Sequence, residues 1–310
     1  MKVFEYTRAS LEHPERCEDA ILTFNERDNA PVFAVIDGMG GHQRVMADGR
    51  RLTGRDASQA IREVFIEDLE HFPPDVSADP GAEVEVRTKE VIQRAHHDVF
   101  NGLNGGPDIP IHERVGAVAT VVVACEGGQR LFVAQVGDTR AYLYTEGELI
   151  QLCEDEDNVE FLVKQGRLSQ KDAELVSEII NNWDGVGEPE VKGGIRIGAE
   201  TYDAYLAWRW FVTGNAALRI PGANVVINSL GTEADDLEIQ VSRIEVLPGD
   251  KLLLCSDGLY KNLSHGEIIE KLANADDPAT ALGEMAYARS QDTLNRRMNP
   301  DDISVIVVQL

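Results

Sequence analysis

The chain has 310 residues, 43% of them hydrophobic and 27% charged, with a formal net charge of −25. That hydrophobic content supports a folded core and excludes general disorder, while so acidic a surface disfavours nucleic acid and anionic membranes as partners. The length allows one large domain or two small ones, and the surplus of acid makes a carboxylate informative only where its position singles it out.

The N-terminal MKVFEYTRAS lacks the apolar run of a signal peptide. No segment reaches the roughly 20 apolar residues of a membrane span, and the cysteine usage leads to the expectation of a reducing, cytoplasmic setting. Cys17, Cys125, Cys153 and Cys255 form no CxxC pair, and Cys125 and Cys255 lie in apolar runs where they read as core.

Runs rich in Val, Ile and Leu predict a first strand over Val32–Ile36. Apolar residues at 3.6-residue spacing predict helices over Ser58–Phe72 and Glu83–Phe100. His96 and His97 are neighbours on the second helix, face different ways, and read as surface or packing residues. Further strands are predicted over Ala117–Ala124, Arg130–Val136 and Ala141–Tyr144, then over Ile239–Val246, Lys251–Cys255 and Ile303–Gln309. The turn sequences EGG (Glu126–Gly128), EGE (Glu146–Glu148) and PGD (Pro248–Asp250) predict hairpins.

Residues 158–228 read differently. Helices are predicted over Val159–Gln165 and Gln170–Ile180, before a stretch rich in Gly and aromatics that contains Trp208, Trp210 and Phe211. This predicts a flap subdomain, with a small core of its own or acting as a lid, inserted in a single domain of 1–310. Two more helices follow, over Ser264–Ala275, which opens with the capping-box pair Ser264 and Glu267, and over Ala279–Thr293. The order is not a regular βαβα alternation. It predicts an α+β chain of two packed, largely antiparallel sheets with helices outside.

The strongest local feature is PVFAVIDGMGGH (Pro31–His42), where a buried strand ends on Asp37 and runs into a glycine-rich turn. Glycines there let the backbone approach an ion closely. A dinucleotide fingerprint fails, since its third glycine falls on Gln43, and a carboxylate at the turn repels a pyrophosphate. The phosphate-loop ending GK[ST] is absent.

Asp257, Asp301 with Asp302, and Asp138 repeat the design at other strand ends, and Glu18 and Asp19 precede the apolar run AILTF. Singly, each reads as a turn former or strand cap. If they converge, like charges at 4 Å repel by about 4 kcal/mol per pair at an effective dielectric near 20, so cations are needed. Oxygen-only ligation selects hard ions, Mg²⁺ or Mn²⁺.

Five motifs in order, CEDA (Cys17–Ala20), DGMGGH (Asp37–His42), GDTRAYLY (Gly137–Tyr144), LLCSDGL (Leu253–Leu259) and DDISVIVV (Asp301–Val308), resemble the metal-dependent protein serine/threonine phosphatases of type 2C (the PPM family) in their bacterial form. The resemblance covers essentially the whole chain. It implies a central antiparallel β-sandwich flanked by helices on both sides, a four-layer αββα fold with an enlarged flap, and a two-metal site at one end. Asp37 would bridge both ions, Asp257 and Asp301 would complete one, and Glu18 and the carbonyl of Gly38 would serve the other. Asp19 would orient metal-bound water, and Asp138, with Asp257, holds a third ion in some members.

The implied activity is hydrolysis of phosphoserine and phosphothreonine in proteins by a bridging-hydroxide two-metal mechanism, opposed by a serine/threonine kinase. The alternatives are a catalytically weak, phosphoprotein-binding relative and a small-molecule phosphatase. This sequence departs from the family pattern at several positions. Pro14 stands where many members carry a phosphate-gripping arginine, which leaves the nearby Arg16 as the candidate. Met39 stands where others carry a histidine proposed as general acid, leaving His42 for that role or a structural one. Ala119 replaces one threonine beside Thr120, and the flap is preceded by Asp155-Glu156-Asp157 rather than Asp-His-Ser.

Overall fold

The computed structural model describes residues 1–25, 30–39, 43–46, 48–70, 80–156, 158–189, 194–213, 228–232 and 237–310. The first half comprises strands β1 (Lys2–Arg8), β2 (Ala20–Phe24) and β3 (Val32–Gly38), the short pair β4 (Arg44–Val45) and β5 (Arg51–Leu52), and helices α1 (Gly54–Leu69) and α2 (Pro80–His97). Strands β6 (Ala117–Cys125), β7 (Arg130–Val136), β8 (Arg140–Thr145) and β9 (Glu148–Gln151) follow. The stretch expected to form a flap contributes α3 (Asn158–Lys164), α4 (Gln170–Asn182), the pair β10 (Ile195–Ile197) and β11 (Glu200–Tyr202), and α5 (Ala204–Thr213). The chain closes with β12 (Gln240–Glu245), β13 (Lys251–Cys255), α6 (Asp257–Tyr260), α7 (His265–Asn274), α8 (Pro278–Arg289) and β14 (Ile303–Gln309).

Two five-stranded sheets form the centre, ordered β1-β14-β13-β8-β9 and β12-β7-β6-β3-β2, with every pairing antiparallel. The alternation of side chains along a strand explains the layers. On β3, Phe33 and Val35 face the other sheet and join Leu252, Leu254, Ile306 and Val308 there. Val32, Ala34 and Ile36 face outward, under Ile61 and Phe65 of α1 and Ile92 of α2. On β13 and β14, Leu253, Val305 and Val307 face outward beneath Leu272 of α7 and Leu282 of α8. Strands covered on both faces read as continuous apolar runs, and burial of each Val, Leu or Ile side chain contributes about 1.5–3 kcal/mol. The predicted four-layer α+β sandwich is therefore the observed one.

The EGG and EGE turns join β6 to β7 and β8 to β9 as predicted. PGD does not make a hairpin: it carries the chain from β12 in one sheet to β13 in the other, since their apolar faces meet across the sandwich rather than edge to edge. Ser264 caps α7 and Glu267 completes the reciprocal box. α2 passes at Asp98 into a π-helical turn ending at Leu103. His96 is a packing residue, its Nδ1 accepting the Gly231 N–H at 3.1 Å, while His97 is exposed.

The described part of the flap does not close on a core of its own. Ile179, Ile195, Ala207 and the fully buried Trp208 share one apolar cluster with Tyr142, Leu253 and Leu282. The Trp210 side chain and the start of VVINSLG lie outside the described residues. No helix among the described residues is long and apolar enough to cross a membrane.

Candidate metal centre

Antiparallel register decides which strand ends meet. The C-terminal end of β13 lies beside the N-terminal ends of β14 and β8, since Cys255 pairs with both Val305 and Arg140. Asp257, Asp301 and Asp138, which flank those ends, therefore share one edge of one sheet. In the other sheet Ala20 pairs with Ile36, which sets Asp19 at the start of β2 next to Asp37 at the end of β3. The sandwich brings the two edges together.

The electrostatics record that meeting. Burial, and after it the like charges of Asp19, Asp257, Asp301 and Asp138, hold the Asp37 carboxyl well above the usual carboxylate range. Asp301 is also held well above it, by burial and then by Asp257, against the opposing charge of Lys261. Burial and then the charge of Asp302 push Asp19 up to about 8, a rise that the Ser256 and Ser304 hydroxyls only weaken. Asp138 is pushed up to about 6, chiefly by burial, with Lys261 opposing.

Neither oxygen of Asp19 has a hydrogen-bond partner of full geometry, although the residue is only 4% exposed. An unpartnered buried carboxylate is costly unless a cation faces it. All the donors are oxygens, which suits Mg²⁺ or Mn²⁺. Asp37, Asp138, Asp257 and Asp301 are each half-buried, so the cluster is not sealed from solvent. On donor chemistry and charge, the residues fit hard divalent ions. Among the described residues, no three Asp, Glu, His or Cys side chains are drawn in close enough to hold an ion. Mutual repulsion keeps unscreened carboxylates apart.

The supporting contacts are more specific than the motifs revealed. Asp302 is not a ligand in waiting: its carboxylate accepts the Ser10 N–H at 2.6 Å and the Glu18 N–H at 2.5 Å, fastening the loop that carries Glu18 and Asp19. Glu18 is buried, and burial raises its pKa while the Arg16 charge lowers it. Arg16 Nε stands 3.2 Å from Glu18 Oε1, so its guanidinium lies beside the centre and pairs with that carboxylate. His42 lies outside the described residues.

Gly38 is held to glycine by its neighbours. An added Cβ would come within 2.5 Å of the Gly54 carbonyl group and 2.6 Å of the Glu18 oxygen, and one on Gly54 would meet the Gly38 backbone at 2.6 Å. Gly54 opens α1, where most residues favour helix more; that poor choice was the available signal for the crossing. Gly54→Ala is expected to destabilise the protein by about 2 kcal/mol through overpacking, read from urea unfolding; an unchanged midpoint would mean that the two backbones can separate. At the second aspartate, a Cβ on Gly258 would fall 2.0 Å from the Asp302 carbonyl oxygen, so glycine lets the Asp257 turn sit against the Asp301 turn.

The acidic triplet before the flap has work of its own. Asp155 accepts both Nε and Nη2 of the buried Arg140, and Arg140 Nη1 donates to the Tyr142 hydroxyl at 2.7 Å. Glu156 accepts the Gly137 N–H at 2.9 Å and Asn228 Nδ2 at 2.7 Å, holding the turn before Asp138. Asp157 lies outside the described residues. Thr120 Oγ1 meets the Thr139 carbonyl at 2.9 Å and hydroxyl at 2.8 Å beneath the same turn.

Residues 8–298 match the family model described as Protein phosphatase 2C. The chain belongs to the protein phosphatase 2C family. It is 23% identical over 304 residues to the serine/threonine protein phosphatase PstP of Mycobacterium tuberculosis, covering 97% of this chain and 45% of that protein. The chain thus spans about half the length of that relative. Against the serine/threonine phosphatase stp of Listeria monocytogenes it is 24% identical, covering 87% of this chain and 81% of that one. Among solved structures, the PstP catalytic domain in complex with two manganese ions superposes with a TM-score of 0.61 at 21% identity, over 99% of this chain and 96% of that one. This likeness shows that the 2C phosphatase sandwich is shared.

Two residues of this 2C family member were not found by sequence reasoning. Lys261 Nζ forms an ion pair with Asp257 Oδ2 and lies 4.0 Å from Asp138 Oδ2. The Tyr260 hydroxyl donates to the Asp138 carbonyl at 3.1 Å and to its carboxylate at 3.3 Å. Tyr260 also lies under the Arg140 guanidinium, 3.5 Å from ring centre to Cζ. Both residues follow the SDGL motif and carry no local signal of these partners.

Proposed function

We propose that the chain hydrolyses phosphoserine and phosphothreonine in proteins at a centre of two divalent ions, Mg²⁺ or Mn²⁺. The observation that carries this reading is the convergence of Asp19, Asp37, Asp257 and Asp301 from two sheets onto one end of the sandwich, with Asp19 buried and only weakly held by the Ser256 and Ser304 hydroxyls. In this reading Asp37 would be shared between the ions, Asp257 and Asp301 would hold one, and Glu18 with the Gly38 carbonyl would hold the other. When bound, such ions activate water for in-line attack on phosphorus and offset charge on the phosphoryl oxygens. Asp19, whose oxygens make no hydrogen bond of full geometry, would orient that water. Arg16 reaches substrate phosphate only by sharing itself with Glu18. The partner is then a phosphorylated protein, opposed by a serine/threonine kinase and met in the cytoplasm.

The ion pair of Lys261 with Asp257 favours one second reading, a catalytically weak relative that binds phosphoproteins. An aryl phosphate assay separates the two. Turnover is expected with Mn²⁺ and is expected to vanish with chelator; absent or metal-independent turnover would sink the first reading. Phosphothreonine peptides are then expected to outrun phosphotyrosine peptides.

A further inference from the structure

Asp138 and Asp257 flank the neighbouring ends of β8 and β13, close enough for the charge of one to raise the pKa of the other, and such an acid pair calls for a cation. The chain supplies one. Lys261 sits at the end of the single turn α6, its N–H bonded to the Asp257 carbonyl at 2.9 Å, so its side chain folds back along the turn toward Asp257. The ammonium touches Asp257 Oδ2, stands 4.0 Å from Asp138 Oδ2, and leaves the side chain only 17% exposed. On the far side, Tyr260 fixes Asp138 by donating to both its carbonyl and its carboxylate.

We propose that Lys261 is a tethered cation that takes the place of a metal ion between Asp138 and Asp257, so that this chain holds two divalent ions and not a third. The inference rests on the two-metal reading above. An ammonium offers three donors and a single charge; here it bonds Asp257 and pairs with Asp138 at 4.0 Å, without the six oxygen ligands that Mg²⁺ or Mn²⁺ demands. A divalent ion entering the same space meets a like charge that is covalently anchored and half enclosed. Asp138 then acts as a positioning residue for Lys261 and the Asp257 turn, not as a metal ligand.

Manganese counting tests this without reference to turnover. Titration calorimetry, with free Mn²⁺ followed by electron paramagnetic resonance, is expected to find two ions per chain in the wild type and in Lys261→Arg. Lys261→Asp, which replaces the cation by a ligand, is expected to gain one ion. Three ions on the wild type would overturn the proposal, as would an unchanged count on Lys261→Asp with its circular dichroism intact. Should Lys261→Asp not fold, Lys261→Gln removes the charge without adding acid; a weaker third ion supports the proposal and a count of two overturns it. No ion on the wild type would instead bring down the two-metal reading, and this inference with it.

Discussion

Asp37→Asn is expected to lower manganese-dependent kcat/KM toward a phosphothreonine peptide by about 10²- to 10⁴-fold, the range for losing a group that holds charge at the reacting centre. The same substitution is expected to stabilise the protein in chelator. Without ions, Asp37 is surrounded by Asp19, Asp257, Asp301 and Asp138, and its folded carboxyl is held well above the usual range. An asparagine keeps the shape and removes the charge, so a gain in stability is expected above the unfolded carboxyl's pKa, by the linkage between pKa and stability. Excess Mn²⁺ should reverse the order, because the wild type gains more from binding. Activity and chelated stability moving in opposite directions is the signature of a ligand. If Asp37→Asn lowers both, the residue is a structural cap and the metal assignment fails.

The second large effect is a pH dependence of the chelated protein that runs against the usual behaviour of acids. Asp19 titrates at about 8 and Asp138 at about 6 in the folded chain, with Asp37 and Asp301 well above the ordinary range. Unfolded, each releases its proton near pH 3.9. Between those limits the folded chain binds more protons than the unfolded one, so stability falls as pH rises. The contribution is full below about pH 4 and is lost progressively as the pH climbs through 6 and 8, each proton retained only in the folded state changing stability by about 1.4 kcal/mol per pH unit. Urea unfolding in chelator at pH 5, 6, 7 and 8 should show the decline. Saturating Mn²⁺ should flatten or invert it, since ions then do what protons did. A chelated protein as stable at pH 8 as at pH 5 would mean that the carboxylates are not crowded.

Much of the fold could be read before the structure. β3, β6, β13 and β14 are covered on both faces, and their continuous apolar runs mark them within a residue or two. β1 was missed because KVFEYTR is an edge strand with one partner, β14, and carries three charged residues without a continuous apolar run. β9 was missed for the same reason: it is a four-residue edge strand beside β8. The PGD turn has hairpin chemistry, and nothing within it records that the strands on either side belong to different sheets.

The centre divides in the same way. That Asp37, Asp257 and Asp301 sit at strand ends beside glycines or flanking acids is local information, and the motif order carried it to a family. Sequence alone therefore determined the family and the sandwich, and singled out the strand-end acids that the fold brings to one end. Only the tertiary structure decided their division of labour: Asp302 holding the Glu18 loop, Asp155 neutralising Arg140, and Lys261 standing between Asp138 and Asp257. The reason is physical. A strand end is announced by the residues on either side of it, whereas a charge pair between positions more than 100 residues apart, such as Lys261 and Asp138, exists only once antiparallel register has set β8 beside β13.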